Sequence, residues 1–281
     1  MFKPLAVASM LSDYGISPKK GLGQNFLTDE TYLAMIAEAG GIDKNTEVLE
    51  IGAGMGNLTR HLAAAGKRVS AVELDKQLIP ILRKVTSDFE NVDIVEGDIL
   101  EIPISQLITS PDYVVAANIP YYITSALIRY LLENKPKPKR MVLTIQKEVA
   151  QRACAKAGKL SLLALSVQVY GRPAIAARIP AGAFYPAPKV DSAVLTIELY
   201  DRPLIPGESL ETFFKLAKAG FSQKRKMLHN SLAGATGLNK DDVDVLLTSE
   251  AIDPKRRAQT ISIEEWARLI KAYQKFLLGN N

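Results

Sequence analysis

At 281 residues, 47% hydrophobic and 23% charged, the chain has apolar material for one medium domain plus a smaller one, which excludes a disordered or fibrous protein. A formal net charge of +5 suits a polyanionic partner but is also common in proteins that bind none. The single cysteine, Cys154, excludes an internal disulfide, the two histidines, His61 and His229, leave no metal cluster, and no apolar run nears the ~18 residues of a membrane span.

In chain order, residues 1–18 read as a flexible tail: the apolar stretch Pro4 to Leu11 is too short for a signal-peptide core and soon meets Asp13. Lys19 to Leu27 is a glycine-punctuated basic segment. Thr28 to Ala39 reads as an amphipathic helix with Thr28 as N-cap and Asp29 and Glu30 in its first turn. Residues 46–51 form a buried strand that runs into Gly52-Ala53-Gly54-Met55-Gly56 and then a helix, Asn57 to Ala65. A glycine-rich turn between strand and helix lets the backbone approach a ligand closely. The G-x-G-x-G spacing after Glu50 differs from the G-x-G-x-x-G of dinucleotide sites, and suits a nucleoside with a small zwitterionic tail. A second strand, 68–74, carries Glu73 near its end, where a carboxylate can accept both hydroxyls of a ribose. A third, 92–96, leads to Gly97-Asp98, where a carboxylate can meet an adenine amino group. The fourth, 113–117, delivers Asn118.

Asn118 begins the run Asn118-Ile119-Pro120-Tyr121-Tyr122, suited to gripping a planar amine. The Asn118 amide oxygen can accept one N–H and the Ile119 carbonyl the other, aimed by the turn that Pro120 stiffens, while Tyr121 stacks on the ring. Taken singly, such a run is often plain loop packing, and each carboxylate is more often a helix cap or a solvated turn. Polar or glycine-rich ends on four successive strands instead describe a crevice at the carboxyl edge of a parallel sheet, of the kind that holds S-adenosylmethionine.

Further on, Lys135 to Lys139 is a stiff basic connector before a strand at 140–145, and 193–199 reads as a late strand. Residues 202–207 mark a linker with two prolines, and helices are expected near 209–220, 224–234, 240–249 and 262–277. This helical part carries Lys215, Lys218, Lys224, Arg225 and Lys226, then Lys255, Arg256 and Arg257. Such a cluster is either a solvated helix face or, beside a base-modifying site, a surface that tracks phosphates.

The chain resembles the ribosomal RNA adenine N6,N6-dimethyltransferases, in particular the small-subunit branch. The resemblance rests on Gly23-Gln24-Asn25-Phe26-Leu27, Glu50 to Gly56, Glu73-Leu74-Asp75, Gly97-Asp98, Asn118 to Tyr121, Gln146 to Arg152, Phe184 to Ser192, Phe221 to Lys226, Asn230 to Leu232, and Asp253-Pro254 with Arg257-Ala258. It departs at Tyr122, where the family usually has Asn, and at Ala53, where it often has proline. The resemblance implies an α/β, Rossmann-like methyltransferase sheet with helices on both faces over residues 19–200, its late strand antiparallel, and a small all-α RNA-binding domain over 208–281. It implies S-adenosylmethionine held by Asn25, Leu27, Gly52, Gly54, Glu73, Asp98 and Asn118. Phe184 belongs over the target adenine, with Asn118, Ile119, Pro120 and Tyr121 around its amine. Lys224, Arg225 and Lys226 are expected on RNA phosphates.

The implied substrate is a pair of adjacent adenines in the 3′-terminal hairpin loop of small-subunit rRNA, in a pre-assembled subunit, with a cytoplasmic monomer acting and no membrane or metal involved. Two other readings stand beside it. One is the sister group that dimethylates large-subunit RNA, against which the helical part argues. The other is a ribosome-assembly or transcription factor with little activity, against which the intact Glu73, Asp98 and Asn118 argue.

Overall fold

The computed structural model describes residues 2–119, 124–223 and 225–279. The chain divides into two compact units, Met1–Gln151 with Pro173–Leu199, and Arg152–Arg172 with Tyr200–Asn281.

In chain order the helices and strands are α1 (Val7–Asp13), β1 (Phe26–Leu27), α2 (Glu30–Ala39), β2 (Glu47–Ile51), α3 (Asn57–Ala65), β3 (Arg68–Glu73), α4 (Ile79–Val85) and β4 (Val92–Glu96). There follow β5 (Tyr113–Asn118), α5 (Thr124–Glu133), β6 (Arg140–Gln146), α6 (Lys147–Ala153), α7 (Leu162–Gln168), β7 (Gly171–Ile179), β8 (Phe184–Tyr185) and β9 (Ser192–Leu199). The chain closes with α8 (Leu210–Phe221), α9 (Leu228–Thr236), α10 (Lys240–Ser249) and α11 (Ile263–Gly279).

The main sheet runs β4-β3-β2-β5-β6-β9-β7, with helices on both faces. From β4 through β6 neighbouring strands are parallel, and β9 returns antiparallel to β6 as expected. Strands covered on both faces need apolar side chains in both directions, and all five residues of β2 are buried. Register places Ile51 opposite both Val72 and Ala117, and Glu73 opposite Glu96. The carboxyl ends of β2, β3, β4 and β5 therefore lie side by side. Between β2 and β5 the strand order reverses direction, which opens a crevice over those ends.

Two expectations about the amino-terminal region need correction. Residues 1–18 were expected as a tail, yet α1 forms there, with Val7 and Leu11 one helical turn apart and buried among Phe26, Met55, Leu78 and Ile81. The N-cap of α2 is Asp29 and not Thr28: the Asp29 carboxylate accepts the Thr31 N–H at 2.9 Å. Thr28 instead donates its N–H and its hydroxyl to the Ala183 carbonyl, at 2.9 and 3.0 Å. That ties its chain to the segment next to β8.

The second unit takes residues 152–172 from the middle of the chain, a stretch expected within the sheet domain of residues 19–200. Its α7 buries Ala164, Leu165 and Val167, while the carbonyls of Val169 and Tyr170 accept the N–H groups of Leu204 and Tyr200 at 2.9 Å each. Backbone pairing thus secures α7 to the stretch after β9. Around it the unit is helical, with a core that includes Phe213, Leu216, Leu228, Leu247 and the fully buried Trp266. Gly220 on α8 suits this close packing, because a Cβ there would lie 3.0 Å from the Trp266 ring and 3.3 Å from Leu228.

Candidate active site

The turn from β2 into α3 sets the floor of the site. Gly52 and Gly54 adopt left-handed backbone, with φ of +74° and +59°, and a Cβ on Gly54 would press to 3.2 Å from the Phe26 ring. The N–H groups of Gly52 and Ala53 both donate to the Val72 carbonyl, at 2.9 and 3.1 Å. Gly54 N–H donates to Glu73 Oε2 at 2.6 Å, and Asp75 N–H to Glu73 Oε1 at 2.7 Å. Glu73 is buried, which raises its carboxyl above the usual value, with the two N–H bonds opposing and the Asp75 charge adding. Each of its oxygens retains a second lone pair for a further donor.

Glu50 marks the motif in the sequence, but its environment was not legible there. It is 1% exposed, and burial pushes its carboxyl up to about 8, with Thr59 opposing and the Glu73 charge adding. Its Oε2, and both polar atoms of the Asn57 side chain, are buried with no hydrogen-bond partner among the described residues. Both residues line the pocket. Such groups are costly to bury dry and unpaired, and here they face a cavity that can receive a polar ligand.

The opposite wall comes from the amino-terminal segment. β1 pairs antiparallel with β8, setting Leu27 opposite Phe184. Just before it, the Asn25 carbonyl accepts Asn118 Nδ2–H at 2.9 Å, which turns the Asn118 amide oxygen away from Asn25. Ile119 is buried and donates its N–H to Thr144 at 3.1 Å. Asp98, at the end of β4, accepts the Leu100 N–H at 2.9 Å, so it serves as a turn residue and a pocket wall at once.

One open pocket is lined by Asn25, Leu27, Gly52, Gly54, Glu73, Asp98 and Asn118, with Ile119 and Phe184 on its rim and walls. Residues far apart in sequence therefore converge on the carboxyl edge of the sheet. Pro120 and Tyr121, expected beside the amine, and Lys224, expected on phosphates, lie outside the described residues.

In the second unit, Arg225 and Lys226 are exposed and sit in the turn between α8 and α9 rather than in a helix starting at 224. The first N–H groups of α9, at Leu228 and His229, donate to the Arg256 and Pro254 carbonyls at 2.7 and 3.4 Å. Arg256 is not a free cation, contrary to its place in the basic run. Its guanidinium forks onto Glu265 at 2.5 and 3.0 Å and also bonds Thr260. Lys255 and Arg257 on either side are exposed.

Comparison with known proteins agrees with this geometry. The chain is 42% identical to the ribosomal RNA small subunit methyltransferase A of Dehalococcoides mccartyi, over 96% of this chain and 97% of that relative. Among solved structures, a dimethyladenosine transferase from Plasmodium falciparum matches with a TM-score of 0.74 and 26% identity, over 89% of this chain and 98% of that one. A 23S rRNA methyltransferase matches with a TM-score of 0.72 and 27% identity, over 89% and 100%. Residues 16–275 match the family model described as ribosomal RNA adenine dimethylase, and the chain, an S-adenosylmethionine-dependent methyltransferase of rRNA adenines, belongs to that family.

Proposed function

We propose that this enzyme dimethylates N6 of two adjacent adenines in the 3′-terminal hairpin loop of small-subunit rRNA, working as a cytoplasmic monomer on a pre-assembled small subunit. The observation that carries the reading is the meeting of Asn118, Phe184 and Glu73 in one pocket, with the Asn118 amide already oriented by Asn25. The 42% identical relative, a ribosomal RNA small subunit methyltransferase, supports the choice of subunit.

The pocket fits S-adenosylmethionine on its own chemistry: Glu73 offers acceptors for the ribose hydroxyls, and Glu50 and Asn57 offer buried polar atoms without partners among the described residues. When bound, the cofactor supplies an activated methyl group on sulfur. The protein's part is positioning. An adenine N6 is a weak nucleophile because its lone pair is delocalised into the ring. The Asn118 amide oxygen and the Ile119 carbonyl each accept one N6 hydrogen, which favours a pyramidal nitrogen with its lone pair directed at the methyl. No side chain is needed as a general base, and the proton released after transfer passes to solvent. Phe184 covers one face of the base, a contact of about 1–3 kcal/mol. A hairpin loop suits such a pocket because its bases are already partly unstacked. Lys224, Arg225 and Lys226 hold phosphates of the folded RNA.

Mass spectrometry of rRNA decides the matter, after under-methylated small or large subunits are incubated with the protein and labelled cofactor. Two dimethyladenines in the small-subunit hairpin are expected. Label confined to large-subunit RNA would transfer the enzyme to the sister activity.

A further inference from the structure

The segment Lys19–Asn25, which lines the pocket from Leu22 onward, is fastened to a residue that the methyl-transfer reading leaves unused. Asp75 is 4% exposed, and its carboxylate gathers three donors from separate places. Lys19 Nζ reaches Oδ1 at 2.8 Å, the Gln77 N–H reaches the same oxygen at 3.2 Å, and Gln24 Nε2 reaches Oδ2 at 2.8 Å. Burial alone would push this carboxyl up, but the bonds from Lys19, Gln24 and Gln77 more than offset it and hold it below its usual value. Asp75 is therefore an ionised acceptor at neutral pH. The Gln24 amide cannot turn over freely, because its Oε1 already accepts the Lys19 N–H at 2.7 Å. The segment is thus closed on itself and pinned by one carboxylate.

Both ends of this arrangement meet the site. The Asp75 N–H holds Glu73 Oε1 at 2.7 Å. At the other end, the residue after Gln24 is Asn25, whose carbonyl orients the Asn118 amide. Beyond Asn25 the chain enters β1, which sets Leu27 against Phe184. One buried carboxylate is accordingly connected to the groups read here as the ribose acceptor, the amine acceptor and the base cover.

We propose that Asp75, through Gln24 and Lys19, is a positioning residue for methyl transfer: it fixes the 19–25 segment so that the Asn25 carbonyl holds Asn118 in register with Glu73. The proposal rests on the reading of Asn118 as the amine acceptor. Its physical basis is that the segment has little regular structure of its own, so a shift at the Asp75 bridge passes directly to Asn25. Misplacement by a fraction of an ångström at a reacting centre is enough to cost rate without much affecting binding.

The bridge has a polarity that can be broken and then restored. Asp75→Asn keeps an oxygen for Lys19 and Gln77 but turns a donor toward the Gln24 Nε2 donor. Gln24→Glu sets a second carboxylate against the first. Combining the two substitutions recreates a donor–acceptor pair in the reverse sense and preserves an acceptor for the Lys19 N–H.

Turnover is measured on under-methylated small subunits with saturating labelled S-adenosylmethionine, alongside thermal midpoints and the cofactor Kd by calorimetry. Each single variant is expected to lower kcat by about tenfold or more, beyond what any fall in midpoint accounts for, with the Kd changed by less than about threefold. The paired variant should recover to within about threefold of the native kcat. Undiminished kcat in the single variants overturns the proposal. So does a loss of kcat that only tracks a loss of midpoint, or a loss that the paired variant fails to restore. Asn118→Ala is assayed in parallel: normal turnover there removes the reading of Asn118 itself, whereas lost turnover there with none lost in Asp75→Asn overturns the bridge alone.

Discussion

The two units differ most in what they bury. In the first, Glu30, Glu47, Glu50, Arg60, His61, Glu73 and Asp75 are all buried, whereas in the second the described buried polar residues are Ser209 and Ser231. Burying an ionisable group is costly unless it is paired, so each such position in the first unit calls for a reason. Some are structural. Glu30 takes Arg60 at 2.6 Å and His61 at 2.7 Å, and Glu47 takes Arg68 with Thr109 and Ser110. Glu50 is different, since one of its oxygens has no partner among the described residues and it lines the pocket. The first unit thus carries ionisable groups in its interior, one of them in the lining of the pocket. The second is held by apolar packing around Trp266 and carries its charge outside. On the proposed function, chemistry sits inside one unit and RNA contact on the surface of the other.

The sharpest test of that contrast separates amine grip from cofactor grip within the pocket. Asn118→Ala is expected to reduce methyl transfer by about 10²–10³-fold, the usual cost of removing a group aimed at the transition state, with cofactor affinity largely kept. Near-normal turnover would remove Asn118 from the mechanism. Glu73→Ala should act first on the cofactor, since a lost charge-assisted bond of about 1.5–3 kcal/mol weakens binding roughly 10- to 100-fold by calorimetry. An unchanged Kd would place the ribose elsewhere.

Glu50 adds a pH signature that the second unit should lack. Its carboxyl titrates near 8 in the folded protein but at an ordinary value when unfolded, so between those values the native state holds the extra proton. Stability of the cofactor-free protein should therefore fall as pH rises from about 5 to 8, by an amount on the order of a few kcal/mol. In Glu50→Gln that slope should flatten, as followed by denaturant unfolding across the pH series. Equal slopes in both proteins would mean that Glu50 is solvated or paired in solution.

Gly220→Ala probes the other unit. The added methyl meets Trp266, Ala258 and Leu228 at 3.0 to 3.3 Å, tighter than an ordinary contact. Overpacking of this kind costs about 1–3 kcal/mol. A lower thermal midpoint with unaltered cofactor affinity is expected, and a loss of affinity in step with stability would show the two units to be energetically inseparable.

Much of this organisation was legible in the residues. Strands covered on both faces leave mostly apolar runs such as Val48 to Ile51, broken only by Glu50, and the glycines at 52, 54 and 56 mark the turn that follows. Gly52, Gly54, Glu73, Asp98 and Asn118 could be named because each stands at or just past the carboxyl end of such a run, whereas Asn25, Leu27 and Phe184 came only from the family resemblance. The parts that escaped depend on contacts between distant loops. The bridge from Lys19 and Gln24 to Asp75 spans more than 50 positions, and no local pattern announces it. The same is true of α7, whose backbone partners lie beyond β9. Arg256 and Arg257 look alike in a basic run, but only the former finds Glu265. Thr28 and Asp29 are both good caps, and the choice fell to Asp29 because Ala183 claims Thr28.

The smallest effect expected concerns the outer surface of the second unit. If Lys224, Arg225 and Lys226 neutralise RNA phosphates, each contact releases counterions and adds about 0.7–0.9 to the slope of log affinity against log salt. Arg225 and Lys226 are exposed beside Gln223, and exposed Lys255 and Arg257 flank the residues whose carbonyls cover the start of α9. Replacing all three of Lys224, Arg225 and Lys226 with alanine should flatten the slope by about two to three units and weaken binding at low salt most. Cofactor affinity should be unchanged, because Glu73 and the glycine turn belong to the other unit. A merely solvated turn, the competing account, predicts parallel lines for the two proteins across the salt series. Parallel lines would leave the second unit a packed helical body without an electrostatic role, and the division of labour between the units would then have to rest on its shape.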